Sequence, residues 1–178
     1  MNPAIQFMLL WLVVQAALTD IALRRIPNVL VLSGLIVAVG LHMLAAPATI
    51  ADSLAGTWLA GLATGFFLFL PLYVLRGMAA GDVKLMAMVG AFTGPVPAVQ
   101  IALLTCLFGG ALALAMLALN GRWRLLLRNL KLLLAPLLWR LAGVPVQPVR
   151  LPRAASAGGI PYGVAIALGT VAVVLQSR

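Results

Sequence analysis

Long apolar stretches alternate with short polar ones along the whole chain. The first runs from about Ile5 to Leu23 and ends in a basic turn, RRIPN at 24–28. A second covers about Val29 to Ala46, and a third about Leu54 to Leu75. A fourth goes from Leu85 to about Val99, a fifth from there to Leu119, and a last from about Ile160 to Leu175. These lengths reach or approach the roughly 20 apolar residues that cross a bilayer. The fourth is short and interrupted by Pro95 and Pro97, which predicts a tilted or incomplete span. Pro27 stops the first helix or opens the second. In the third, Gly61 and Gly65 have the GxxxG spacing that lets helices approach closely. The expected fold is all-α: a polytopic membrane bundle of about six transmembrane helices in one domain, residues 1–178.

The stretch from about 121 to 158 breaks this rhythm. Arg124, Arg128 and Lys131 share one helix face, with Leu and Trp around them. At the bilayer centre each buried cation costs roughly 2.5–3.5 kcal/mol. A helix lying on the membrane surface avoids that cost, so we read an amphipathic helix against the cytoplasmic leaflet. The prolines that follow it, Pro145, Pro148 and Pro152, lead back to the last span.

Composition agrees with a membrane location. The chain has 178 residues, 64% of them hydrophobic, and a mean hydropathy of +1.16. Its formal charge is +9, from 12 Lys+Arg against three acids. Such a charge suggests nucleic acid in a soluble protein, but there is no aromatic stacking platform here. Positive-inside topology and attraction to anionic lipids explain it better. With six spans and the N-terminus outside, every basic residue except Arg178 is cytoplasmic. The N-terminal stretch has no basic n-region and reads as a retained span rather than a signal peptide. One cysteine, Cys106, rules out an internal disulfide and reads as a small buried hydrophobe.

The three acids are Asp20, Asp52 and Asp82. Asp52 lies on the predicted outer side and reads as a cap of the third span. Asp20 and Asp82 fall at the cytoplasmic ends of spans one and four. A carboxylate in an apolar bundle is costly and is a functional candidate. Two brought together share a proton and titrate as a pair. Such a pair can run aspartic-protease chemistry, one carboxylate taking a proton from water while the other polarises a carbonyl. Spacing alone leaves other readings open. Asp20 can pair with Arg24, Asp82 can pair with Lys84 or cap its helix, and both can belong to a proton or ion pathway. A small non-proteolytic transporter, or a structural component of a pilus or secretion machine, is the alternative. His42 has no neighbouring ligand for a metal, and Ser33, Ser53 and Ser156 lack a His or Lys partner.

Three motifs narrow the choice. TD at 19–20 followed by RRIPN, GDVKL at 81–85, and GGIPYGVAIALG at 158–169 together resemble the type IV prepilin peptidase family. More narrowly, they resemble the short members found with tight-adherence pilus systems. The resemblance implies an aspartic endopeptidase of the bacterial inner membrane. Its substrate would be a membrane-inserted prepilin or pseudopilin, cut at the cytoplasmic face without metal or other cofactor. It implies that Asp20 and Asp82 are the catalytic pair. Gly81, Lys84, Pro27, Asn28, Pro161, Tyr162 and Gly163 would shape the site or touch substrate. Gly81 would leave room beside the carboxylate, and Lys84 would tune the pair or meet a substrate carboxylate. Pro27 and Asn28 would shape their turn, and Pro161, Tyr162 and Gly163 would pack the last helix beside the pair. The chain departs from the family pattern at Ala79, where glycine is usual. It also lacks the four-cysteine insert of the larger members, so the resemblance does not extend to their N-methylation activity.

Overall fold

A computed structural model describes residues 3–45, 58–75, 77–119 and 161–176. They form six helices: α1 (Pro3–Leu23), α2 (Asn28–Ala45), α3 (Ala60–Val74), α4 (Ala80–Thr93), α5 (Pro95–Leu119) and α6 (Tyr162–Gln176). Among the described residues every regular element is helical. Two stretches, Pro3–Leu23 and Pro95–Met116, are long and apolar enough to cross a membrane. Arg76, Asp52, Ser53, Ser156 and the basic amphipathic segment at 121–158 lie outside the described residues.

The chain divides into two compact units. One is Met1–Gly110 with Pro161–Arg178, and the other is Ala111–Ile160, of which only the last turns of α5 are described. The first unit carries every residue discussed below.

The helix ends follow local chemistry. α1 closes on Arg24, whose φ of 50° is left-handed. Its amide bonds the Asp20 carbonyl at 2.9 Å. Glycine usually takes this position because a side chain there costs roughly 1–2 kcal/mol. α2 starts as the Pro27 carbonyl accepts the amides of Leu30 and Val31 at 3.2 and 3.4 Å.

The break between α4 and α5 falls elsewhere than the prolines suggest. The sequence reading places one apolar run through Val99, interrupted at Pro95 and Pro97. Instead the chain turns at Gly94, with φ of 83°, and Pro95 is the first residue of α5. Proline suits that position because its missing N–H has no helical partner there anyway. α4 therefore has 14 residues, about 21 Å of helix. That is shorter than the roughly 30 Å hydrocarbon core.

α4 is the centre of the first unit. From Leu85 to Thr93 every residue is buried. α3, α2, α1 and α6 all pack against it. The closest approach is to α3, where small residues face each other. A Cβ added to Gly61 would collide with the Gly90 carbonyl oxygen, and one added to Gly90 would collide with that of Gly61. Gly65 sits in the same way on the Met86 carbonyl. The GxxxG pair thus meets backbone, and its partner Gly90 carries no motif in the sequence. Phe69, Leu85, Met86, Met88 and Phe92 are fully buried and belong to the same core.

Two smaller expectations also meet the structure. His42 is buried, and its Nδ1 lies 2.8 Å from the Ala38 carbonyl, a local hydrogen bond rather than a ligand position. Cys106 is exposed, not the buried hydrophobe its apolar surroundings suggest. It sits on a face of α5 where Leu103 and Leu107 are exposed too.

The glycine contact makes a stability prediction. Gly90→Ala forces two backbones apart and should lower unfolding stability in detergent by about 1–3 kcal/mol, the usual cost of overpacking. Gly40, in α2, has open space where a Cβ would go. Gly40→Ala should leave the thermal midpoint unchanged or raise it, since alanine is the better helix former.

Candidate active site

Three helix termini meet at one end of the bundle: the C-terminus of α1 and the N-termini of α4 and α6. Asp20 lies in the last turn of α1, 7% exposed, and Asp82 in the first turn of α4, 5% exposed. The two carboxylates are within electrostatic reach of each other. They lie on different helices with α2 and α3 between them in sequence; packing of α1 and α6 around α4 brings them together.

Asp20 is held by a contact across the whole chain. Its Oδ2 accepts the Gly163 amide at 2.8 Å. Gly163 is in the first turn of α6, where backbone amides have no helical partner and carry the positive end of the helix dipole. A Cβ on Gly163 would come within 2.9 Å of that same oxygen and 3.0 Å of the Asp20 Cβ. Glycine at this position therefore supplies both the donor and the room. Packing was the role expected of it; donation to Asp20 is the one seen. Arg24 interacts with Asp20 electrostatically, and its amide also terminates α1 on the Asp20 carbonyl.

Asp82 is held locally. Its Oδ2 accepts the Ala79 amide at 3.1 Å, while its own amide donates to the Ala79 carbonyl at 3.1 Å. This is half of a capping box: the side chain at the third helical position reaches back to the N-cap amide, but alanine has no side chain to return the bond. Each carboxylate thus has its Oδ2 tied to a backbone amide, and among the described residues Oδ1 has no hydrogen-bond partner.

The remaining predicted residues divide into two groups. Pro161 and Tyr162 belong with the aspartates. The Pro161 carbonyl accepts the Val164 amide at 3.1 Å and so opens α6. Tyr162 is half-buried, lies within electrostatic reach of Asp82, and packs over Gly109, where a Cβ would meet its ring at 3.0 Å. It lines a cavity of about 200 Å³ together with Phe69, Met78, Thr105 and Cys106.

Lys84, Asn28 and Pro27 lie on another side of α4. Lys84 is exposed, and its ammonium donates to Asn28 Oδ1 at 3.1 Å. Two residues along a helix turn a side chain by about 200°, so Lys84 points away from the face that carries Asp82. Gly81 faces Ile26, in the α1–α2 turn, where an added Cβ would make an ordinary contact of 3.4 Å. Among the described residues, then, nothing crowds that position. Ala79 has φ of −83° and ψ of 156°, extended backbone open to any residue, and it is exposed. The glycine usual in the family is not demanded there by conformation.

Residues 7–114, more than half of the chain, match the model of the type IV leader peptidase family. The chain belongs to that family. No curated protein and no solved structure matches it. Membership implies a peptidase, and with it a prepilin as the general kind of substrate. Two long apolar helices in such a chain suggest a membrane protein.

The Asp20–Gly163 contact can be tested by a double-mutant cycle. Gly163→Ala should destabilise the protein by about 1–3 kcal/mol, because the new methyl displaces a buried hydrogen-bonded carboxylate. In an Asp20→Ala background the same change should cost at least 1 kcal/mol less, since the crowded atoms are gone. Denaturant titration of the four variants in detergent reads the coupling.

Proposed function

We propose that this chain is an aspartic endopeptidase that removes the leader of a membrane-inserted prepilin or pseudopilin, with Asp20 and Asp82 as its catalytic pair. The observation that carries the reading is the pair itself. Two of the chain's three acids are buried within electrostatic reach of each other at one end of an apolar bundle. Burial and a like charge both work against double ionisation, so the pair holds one proton between its members.

That single proton is what peptide hydrolysis needs. The ionised member takes a proton from water, and the new oxygen attacks the scissile carbonyl carbon. The protonated member donates to the carbonyl oxygen as negative charge grows there. The C–O bond forms, the tetrahedral intermediate collapses, and the C–N bond breaks as a proton passes to the leaving amine. Each carboxylate needs an oxygen free for this while the other anchors the side chain. Amides of Gly163 and Ala79 serve as those anchors.

The rest of the reading follows from the family and from the placement of charge along the chain. The six described helices lie in the membrane, and 1–178 is one peptidase domain. The protein sits in the bacterial inner membrane, N-terminus outside and catalytic pair on the cytoplasmic side. The substrate's apolar helix shares the bilayer with the enzyme, and this common orientation contributes proximity. Pro161, Tyr162 and Gly163 shape the wall beside the pair, while Pro27, Asn28, Gly81 and Lys84 shape the turn next to it.

The test is leader cleavage in membranes, followed by mass spectrometry with a prepilin from the same genome. Asp20→Asn and Asp82→Asn should each reduce cutting by at least about 10²–10⁴-fold, the usual worth of a general acid or base, at normal protein levels. Unchanged cutting in either variant overturns the assignment. Ala79→Gly should change the rate less than about two-fold, since position 79 is extended and exposed.

A further inference from the structure

A second feature of this end of the bundle is not used by the aspartates. An open groove of about 460 Å³ runs between α2, α3 and α4. Its walls are apolar, with Val31, Leu32, Leu35, Leu62 and Phe66 among them. Its polar lining is Asn28 and Lys84, the residues joined by the 3.1 Å hydrogen bond. Asn28 opens α2 and Lys84 is the fifth residue of α4, so the polar group marks one end of the groove and apolar walls run away from it.

The donor inventory of that polar end is one-sided. Asn28 uses its carbonyl oxygen on Lys84, which leaves its two amide hydrogens to donate. Lys84 spends one N–H and keeps two. The acids among the described residues are Asp20 and Asp82, and the described hydrogen bonds of both carboxylates go to backbone amides, not to Lys84. Arg24 and Arg25, both exposed, add positive charge in the adjoining turn. The complement of such a site is an anion with several acceptor oxygens attached to a long apolar chain.

We infer that this groove binds an anionic phospholipid, with the phosphate on Lys84 and Asn28 and an acyl chain along α2, α3 and α4. The chemistry is that of basic pockets between membrane helices, which hold anionic headgroups at the bilayer surface. Lys84 turns away from the face of Asp82, so the lipid stands beside the catalytic pair and not in it. Bound there, it props the α1–α2 turn against the N-terminus of α4, where Ile26 already touches the Gly81 position.

Lipid binding can be read without any peptidase assay, so the inference stands or falls apart from the proposed activity. Native mass spectrometry of the full chain, titrated with phosphatidylglycerol or phosphatidylcholine, counts bound lipids. Wild type should hold one phosphatidylglycerol at least five-fold tighter than phosphatidylcholine. Lys84→Met should remove most of that preference, about five-fold for the loss of one surface cation, and Lys84→Arg should keep it. Leu32→Trp, at a position 60% exposed on the groove wall, should weaken both lipids by filling the apolar part. Equal binding of the two lipids by wild type, or wild-type binding by both Lys84→Met and Leu32→Trp, overturns the inference. So does displacement of the lipid by a synthetic prepilin helix at equimolar concentration, which would assign the groove to substrate instead.

Discussion

The contact of α3 with α4 is a meeting of backbones. Gly61 lies on Gly90, and Gly65 on the Met86 carbonyl, with no side chain between them. In a bilayer there is little hydrophobic gain from helix association, because lipid tails are as apolar as leucine. Close packing has to supply the attraction, and it grows with the number of atoms brought near optimal separation. Glycines maximise that number. They let a 14-residue helix, too short to span the hydrocarbon core by itself, pack against α1, α2, α3 and α6. The position of Asp82 depends on this. α4 begins where its neighbours hold it, so its first turn falls level with the end of α1.

The two aspartates are fixed by different kinds of contact. Asp82 is fixed within its own turn, through the amide of Ala79 three residues before it. Such a bond forms whenever α4 starts at Ala80, so it is as secure as the helix. Asp20 is fixed by the amide of Gly163, distant in sequence. That bond exists only once α6 has docked along α1. The pair is therefore complete only in the assembled bundle, and the cost of two neighbouring acids falls on the folded state. A backbone amide at a helix N-terminus offsets part of that cost without adding a cation that would neutralise the pair.

Much of this was legible from residues alone. Apolar run length located all six helices to within a few residues at most ends, because the pattern reflects burial or lipid contact along each whole element. The turn at 24–28 and the start of α6 were legible through proline. The α4–α5 boundary was misplaced because Pro95 and Pro97 look like breaks inside a helix, whereas proline also suits a first turn. Gly94, with its positive φ, makes the break. Gly90 was not legible as a packing residue, since its partner Gly61 lies in another helix and no local pattern announces the pairing. Cys106 was misread for a related reason: in a membrane composition, apolar neighbours do not distinguish a core face from a lipid-facing one.

The same limit explains how the motif residues sorted themselves. Asp82 and Lys84 are two apart in GDVKL and read as one cluster. On a helix that spacing separates them by more than half a turn. One faces Asp20 and the other Asn28, and the short motif thus serves two places at once. Asp82 occupies a buried position beside the Ala79 amide. Lys84 requires an exposed one to stay hydrated or meet an anion. A lysine one residue closer or further along would turn toward a different face and lose Asn28. Spacing in the sequence therefore encodes separation here rather than proximity, and the helix N-terminus is where both demands can be met within a single turn.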